Sequence, residues 1–362
     1  MKLICTQENL KNGLAAASRI ISSANTLPIL NNLLLKTENG QLKISSTNLE
    51  LAVSSHVRCK IESEGQITVV AKMFNELVNN LPNENLTLET QEGSLLVQTE
   101  NQQYRIKTLP AEEFPFIPEL GNNPLVSLNG EDLRDSLNKV IFAASTNQTQ
   151  PEIAGVYLSL SGGVLKMVAT DRYRLAEKAV VCNGEAEVIM PHRAALEIIR
   201  ILGNGSEKAE LGVMENQIFI RVGQTQLISR LVDGQYPDYK SIIPESFNTV
   251  VVLDKGKFQG AVKTSALFSQ NSNSVKLDFS SEGQKVVISS ESQDLGSGVA
   301  EVTAKVDGVS GSLLLNFRYI LDFLSQAEGE RVEIKIVNDS SAAVFAVEGQ
   351  KDYLYLVMPI KT

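Results

Sequence analysis

With 362 residues, 43% of them hydrophobic and 21% charged, the chain has the composition of an ordinary globular protein and is long enough for two or three domains. No apolar run approaches the roughly 20 residues of a membrane span, and Met1-Lys2-Leu3-Ile4-Cys5 is too short an apolar start for a signal peptide, so a cytoplasmic protein with no membrane partner is expected. A net charge of -9 argues by itself against nucleic acid, and Cys5, Cys59 and Cys182 are too scattered for a disulfide framework or a zinc site.

The first element signal is a helix. Leu10, Leu14, Ala17 and Ile21 fall at i, i+4, i+7 and i+11, one face of a 3.6-residue period. A strand-like run from Leu42 to Ala52 comes next, then a second helix with Phe74, Leu77, Val78 and Leu81 on one stripe, stopped by Pro82. Short alternating runs at Leu86 to Leu88 and Leu95 to Gln98 read as strands, and the phrase from Tyr104 to Pro115 closes the set.

The same order then recurs. Leu133, Leu137, Val140 and Ala144 repeat the first helix, and Leu165 to Ala176 repeats the strand run with a break at Thr170-Asp171, a pair suited to turns. Ala195, Ile198, Ile199 and Leu202 repeat the second helix before Gly203; Ile218 to Val222, Gln226 to Leu231 and the phrase Ile228 to Pro237 follow. In the third copy the marks are Phe258 and Val262, Val286 to Glu291, then Ile320, Phe323, Leu324 and Ala327 before Gly329, then Val332 to Ile336, Ala343 to Val347 and Tyr353 to Pro359. The chain therefore reads as three α+β domains, 1–121, 124–245 and 248–362, each with two helices packed on antiparallel sheets. Units of about 120 residues can each bury a core, so an arc or closed ring is a better picture than an open solenoid.

A cation recurs with the second helix. Lys72, Arg193 and Arg318 each stand two residues before the first stripe residue, which at about 100° per residue turns them away from the sheet. Arg200 adds a second charge in the middle copy, and Lys11, Arg19, Arg134, Lys139, Lys255, Lys257 and Lys263 fall in or beside the first helices. Exposed helix faces often carry such charges for solubility alone. Three coincident positions make a locally basic lining in an acidic chain a real alternative, because phosphate responds to the local field more than to net charge.

Catalytic signatures are missing from the sequence. His56 and His192 are the only histidines, neither in metal-binding spacing, and there is no Gly-x-Ser-x-Gly, no phosphate-cradling loop and no dinucleotide fingerprint. Asp171 beside Arg172 and Arg174 reads as a turn residue with solvated neighbours. No enzyme activity, metal or cofactor is expected.

Several phrases, in order and at matching spacing along the whole chain, resemble the bacterial sliding clamp family, the beta subunits of DNA polymerase III. They are Thr26 to Leu30 with Asn32 to Leu35, Leu109 to Pro115, Ala169 to Ala176, Val232 to Tyr239, and Val357 to Pro359. The resemblance implies a head-to-tail homodimer, a ring of six similar domains with helices facing the hole. Twelve helices spaced roughly 9 to 10 Å apart give a circle of about 35 Å through their axes, enough to thread a duplex. It implies that Lys72, Arg193, Arg200 and Arg318 face double-stranded DNA and meet phosphates regardless of sequence. Ala24 stands where a family arginine often contacts DNA.

The resemblance also implies a pocket between the second and third domains for short linear motifs of the replicative polymerase, clamp loader and repair proteins. Its lining would be Ile153, Thr170, Arg172, Tyr173, Arg174, Leu175, Pro237, Ile242, Leu356, Val357, Met358, Pro359 and Ile360. Arg172-Tyr173 replaces the Gly-His common in the family, and Ser241 replaces a common basic residue. The dimer seam would bring Tyr104 and Ile106 of one chain to Leu267 and Phe268 of the other. A DNA-independent scaffold with the same fold, and a hydrolase using Asp171 or Asp238, are the competing readings.

Overall fold

The computed structural model describes residues 1–21, 27–119, 126–147, 149–205, 207–269 and 272–361. Ala24, Thr26 and the expected boundary at Gly121 to Pro124 lie outside the described residues.

One order of elements runs three times. In the first repeat β1 (Lys2–Thr6) leads into α1 (Gln7–Ala17), then come β2 (Asn32–Glu38), β3 (Gln41–Thr47), β4 (Leu51–Arg58), β5 (Lys60–Ser63), β6 (Gln66–Val70), α2 (Ala71–Asn80), β7 (Asn85–Gln91), β8 (Ser94–Gln98) and β9 (Gln103–Leu109). The second runs β10 (Val126–Asn129), α3 (Gly130–Ile141), β11 (Gly155–Ser161), β12 (Val164–Thr170), β13 (Arg174–Val181), β14 (Ala186–Pro191), α4 (His192–Leu202), β15 (Lys208–Met214), β16 (Gln217–Val222) and β17 (Thr225–Arg230). The third runs β18 (Thr249–Asp254), α5 (Lys255–Ser265), β19 (Ser274–Ser280), β20 (Lys285–Ser292), β21 (Gly296–Gly308), β22 (Gly311–Asn316), α6 (Phe317–Gln326), β23 (Arg331–Ile336), β24 (Ala343–Val347) and β25 (Tyr353–Val357).

Each repeat starts its first helix the same way. The last strand residue before the helix supplies a side-chain oxygen: Thr6 accepts from Asn9 N at 3.2 Å, Asn129 from Glu131 N at 2.9 Å and Asp254 from Lys257 N at 2.7 Å. Such a cap satisfies a helix donor that has no partner within the helix and contributes about 1 kcal/mol. The predicted stripes then turn inward, with Leu10, Leu14, Leu137, Val140, Phe258 and Val262 at 0% exposure. Ile21 and Ala144 lie past the helix ends, α1 tightening into a 3-10 turn at Ser18–Ile20, yet Ala144 stays buried at 6%. Gly13 is required by close approach: a Cβ there would meet Val57 Cγ2 on β4 at 2.3 Å.

The second helices bury Phe74 and Val78, Ala195 and Ile198, and Ile320 and Phe323, all at 0%. Each such large side chain taken from water contributes about 1.5–3 kcal/mol. Gly203 ends α4 at φ 52, a backbone conformation that glycine adopts without strain.

By contact the chain divides into two units, Met1–Arg134 with Leu196–Leu231, and Asp135–Ala195 with Val232–Thr362. The division runs through the second repeat because backbone ladders cross both repeat junctions. In the first unit thirteen strands form one sheet, ordered β10-β15-β16-β17-β4-β3-β2-β6-β9-β8-β7-β1-β5. There β4 pairs antiparallel with β17, Ala52 opposite Ile228. In the second unit twelve strands run β14-β11-β12-β13-β25-β24-β23-β18-β21-β20-β19-β22. There β13 pairs antiparallel with β25, Leu175 opposite Leu356. At each junction the third long strand of one repeat takes the last strand of the next.

Candidate functional site

The β12–β13 turn is built from four short hydrogen bonds. Thr170 Oγ1 donates to Arg174 O at 2.6 Å and accepts from Arg172 N at 3.1 Å, while Asp171 Oδ1 accepts from Tyr173 N and Arg174 N, both at 3.0 Å. This is the side-chain turn chemistry that the Thr-Asp pair predicts. It holds Arg172 at φ 77 and leaves Tyr173 64% exposed. The end of β25 closes over the turn, Met358 N donating to Tyr173 O at 2.8 Å.

Beneath the turn lies an apolar cluster that includes Ile153, Leu175 and Leu356, with Met358 packed half-buried on its margin. Ile153, Leu175 and Leu356 are at most 2% exposed, and Thr170 is 7% exposed, so they form a floor; Val357 is buried too, but as the neighbour of Leu356 on β25 it points to the opposite face of the sheet. The accessible wall is Tyr173, exposed Pro237, Ile242 at 49%, half-buried Met358 and Pro359, and Ile360 at 38%. Ile360 N donates to Leu314 O at 2.8 Å, which fixes the chain's last turn of wall. Exposed Arg172 stands at the rim.

Arg174 departs from its expected place in the lining. Its Nε meets Asp171 Oδ2 at 2.9 Å, Nη1 pairs with Asp322, and Nη2 donates to Phe142 O at 2.7 Å. With its fork so engaged and its side chain 12% exposed, it is a brace and not a free donor.

Sequence reading missed the support under the floor. Tyr157 stacks on Tyr236 with centroids 4.6 Å apart and planes 10° from parallel, and Tyr239 sits edge-on to both. Burial, then the bond from its hydroxyl to Glu187 Oε1 at 2.6 Å, pushes the Tyr157 phenol up to about 12. Tyr236 and Tyr239 were visible as a motif; Tyr157, on β11, carried no local signal of this role.

Lys72, Arg193, Arg200 and Arg318 are all exposed, on the faces of α2, α4 and α6 away from the buried stripes. Arg318 Nε donates to Asn273 Oδ1 at 3.1 Å. Arg200 shares its charge with Glu197, an ion pair one turn back along α4. The first helices are less uniform than their sequences suggest. Lys139 is 6% exposed and pairs with Glu328 at 2.9 Å, Arg134 donates to Gly203 O at 2.6 Å, and Lys255 donates to Ala327 O at 2.7 Å. Arg134 and Lys255 tie each first helix to the residue that follows the second helix of its own repeat, and Lys139 reaches past the end of α6 in the third repeat; Lys11, Lys257 and Lys263 stay exposed.

Of the expected seam residues, Tyr104 is 40% and Leu267 60% exposed, and Phe268 is half-buried. Ile106 departs: at 3% exposure its side chain belongs to the first repeat's core, so only its backbone edge can face a partner.

Among the described residues no helix is long and apolar enough to cross a membrane. Residues 1–118, 127–238 and 240–361 match, in turn, the N-terminal, central and C-terminal domains of the DNA polymerase III beta subunit. The chain is similar to the beta sliding clamp of Synechococcus elongatus, 31% identical over 372 residues covering 100% of this chain and 99% of that protein. It is also similar in structure to the DNA polymerase III subunit beta of Pseudomonas aeruginosa, with TM-score 0.95, 27% identity and complete coverage of both chains. A second structure of the Pseudomonas aeruginosa sliding clamp, bound to griselimycin, matches at TM-score 0.95 and 27% identity over 100% of both chains.

Proposed function

The chain belongs to the family of DNA polymerase III beta subunits, the bacterial sliding clamps, and from that premise we propose that two copies close head to tail around duplex DNA. It is not an enzyme. It confers processivity by holding the replicative polymerase and other replication and repair proteins to the duplex, work done in the cytoplasm where the chromosome lies.

The observation that carries ring closure is the junction that the chain makes twice with itself. β4 takes β17 and β13 takes β25, which leaves β21 at one end of the repeat series and β9 at the other. Among the described residues, Gly296–Thr303 of β21 pairs on one side only, with β20, and Gln103–Lys107 of β9 only with β8. A third junction of the same kind joins β21 of one copy to β9 of the other. Thr108 N donates to Gly93 O as Leu231 N does to Asn216 O, so Arg105 is the counterpart of Ile228, and carrying over the registers Ile228 with Ala52 and Leu356 with Leu175 sets Arg105 against Ser297 and Tyr104 against Gly298. Phe268 lies directly under Gly298, where a Cβ would meet its ring at 2.6 Å, so Phe268 and Leu267 back this seam. Two such seams close a symmetric dimer of three domains per chain, with breaks near 121–124 and 245–248.

Enclosure lets affinity stay low. Lys72, Arg193, Arg200 and Arg318 meet phosphates weakly and without reading bases, so the ring slides. The apolar wall at Tyr173, Ile242, Met358, Pro359 and Ile360 receives a linear motif of a client protein, the anchor side chain supplying most of the energy. A motif bound at about 1 μM gains roughly 8 kcal/mol and releases readily, and a client also held on the same DNA rebinds at high effective concentration.

The test is retention on loaded nicked circular DNA against the same DNA linearised. Rapid loss from the linear form alone is expected; equal loss or equal retention would sink the reading.

A further inference from the structure

The β12–β13 turn at the client pocket has a twin in the first unit. At the β3–β4 turn Thr47 Oγ1 donates to Leu51 O at 3.2 Å and accepts from Leu49 N at 3.0 Å. Asn48 Oδ1 accepts from Glu50 N and Leu51 N at 3.1 and 2.8 Å, as Asp171 does one repeat later. Leu49 has φ 76 where Arg172 has φ 77. Arg230 N donates to Glu50 O at 2.9 Å, the counterpart of Met358 N on Tyr173 O. Hydrogen bond for hydrogen bond, the two junctions are one construction.

Their linings differ in a way that has chemical meaning. Ala52 stands in the place of Leu175, Ile228 in that of Leu356, Arg230 in that of Met358 and Glu50 in that of Tyr173. A cavity of about 90 Å³ opens between Leu49, Ala52, Ile117, Ile228 and Arg230. At its mouth Phe116 is 90% exposed and Leu49 52%, and Phe116 and Ile117 also border a second groove of about 480 Å³ that reaches Lys36. The smaller cavity is below the ~150 Å³ that takes a benzene, which suits one aliphatic side chain. The groove beyond Phe116 leaves room for the chain that carries it.

We propose that the Leu49–Phe116–Arg230 cleft is a second docking site for client peptide, taking an aliphatic anchor flanked by one acidic and one aromatic residue. This rests on the reading of its twin as the client pocket. The acid answers the Arg230 guanidinium, and Glu50, on the same turn, disfavours a second acid nearby. The aromatic residue packs on Phe116, which has no cover of its own. Affinity for an isolated peptide is low because one shallow anchor is engaged; a client already held at the other pocket gains by linkage.

The experiment uses the full chain with ¹³C-methyl-labelled Ile, Leu, Val and Met, titrated with acetyl-Glu-Leu-Phe-amide. Ile117 and Ile228 methyl signals are expected to shift saturably with a midpoint of about 1 mM. Phe116→Ala and Arg230→Glu, both at exposed positions, should each weaken that midpoint by about fivefold or more with an unchanged thermal melt, and acetyl-Lys-Leu-Phe-amide should bind the unaltered chain about threefold more weakly. Silence at Ile117 and Ile228 up to about 10 mM peptide, or shifts there that neither variant alters, would overturn the proposal. Met358 and Ile242 signals report the twin pocket separately. If they stay still while Ile117 and Ile228 move, the twin's assignment fails and this site stands; if they alone move, this site fails.

Discussion

The Arg174 guanidinium lies over the ring of Tyr319, 4.4 Å from its centroid, with its fork held by Asp171 and Asp322. One side chain thereby fastens the β12–β13 turn of the second repeat to the last helix of the third. Lysine keeps the charge but loses the planar fork and most of the stacking. Arg174→Lys is expected to lower stability by about 2 kcal/mol, read as an earlier urea midpoint for the second unit, and to weaken client binding because the turn is no longer braced. An unmoved midpoint would show that the brace is dispensable.

Arg172 occupies the left-handed backbone region at φ 77, where a side chain is strained and glycine is not. Arg172→Gly should therefore stabilise the chain by about 1 kcal/mol, the relief of strain exceeding the added freedom of the unfolded chain. The same change removes a rim cation, so acidic client peptides should bind more weakly while neutral ones do not. Urea unfolding and peptide titration check the two halves independently, and a destabilised variant would contradict the strain argument.

His192, half-buried at the start of α4, is held by burial below its usual 6.5. Below pH 6.5 the unfolded chain binds this proton more readily than the folded one, so the stability held at neutral pH is lost as pH falls through the folded-state value. The urea midpoint should be flat from about pH 8 to 7 and decline below about 6.5, and His192→Gln should abolish that first decline. At Glu38 burial raises the carboxyl but Lys43 and Lys36 outweigh it, and at Asp352 burial is outweighed by Lys178, so both lie below their usual 4.5 and 3.8. They add a second, more acidic loss that the His192 variant retains.

The seam makes its own prediction. A chain carrying Arg105→Cys and Ser297→Cys should cross-link across both junctions of the dimer under mild oxidation and then remain on circular DNA through a denaturing wash. Cross-linking by a pair shifted by two residues, with none at Arg105 and Ser297, would displace the register.

Much of this fold was legible because its signals are local. A helical stripe such as Phe74, Leu77, Val78 and Leu81 needs only its own neighbours, and α2 spans Ala71–Asn80 as that stripe requires. The pairing of β4 with β17 was not legible, since nothing in Leu51–Arg58 names a partner some 170 residues away, as in the Ser55 to Thr225 bond. The same limit hid the partners of Arg174 and Lys139, since Asp322 is 148 residues from the one and Glu328 is 189 residues from the other. Ile106 shows a second limit. In β9 it is the one fully buried side chain, and a stretch that pairs on one edge alone, as Gln103–Lys107 does, gives no sequence sign of which of its apolar residues the core takes.

The cations on the second helices separate enclosure from adhesion. Lys72, Arg193 and Arg318 are exposed, and Arg200 is exposed but shares its charge with Glu197. Each cation that meets a phosphate releases a counterion, so binding to a short open duplex should weaken when Lys72, Arg193 and Arg318 are all changed to Ala, and the log–log salt slope should become shallower by about 0.9 for every phosphate no longer neutralised. Arg200→Ala alone should move that slope less, because Glu197 offsets its charge. A loaded ring on nicked circular DNA has no end to leave by. Its dissociation should therefore be governed by opening of the seam, and the triple variant should dwell as long as the unaltered chain at moderate salt. If the triple variant leaves circles as quickly as it leaves open duplex, the DNA is being held by its phosphates and not by a closed path around it.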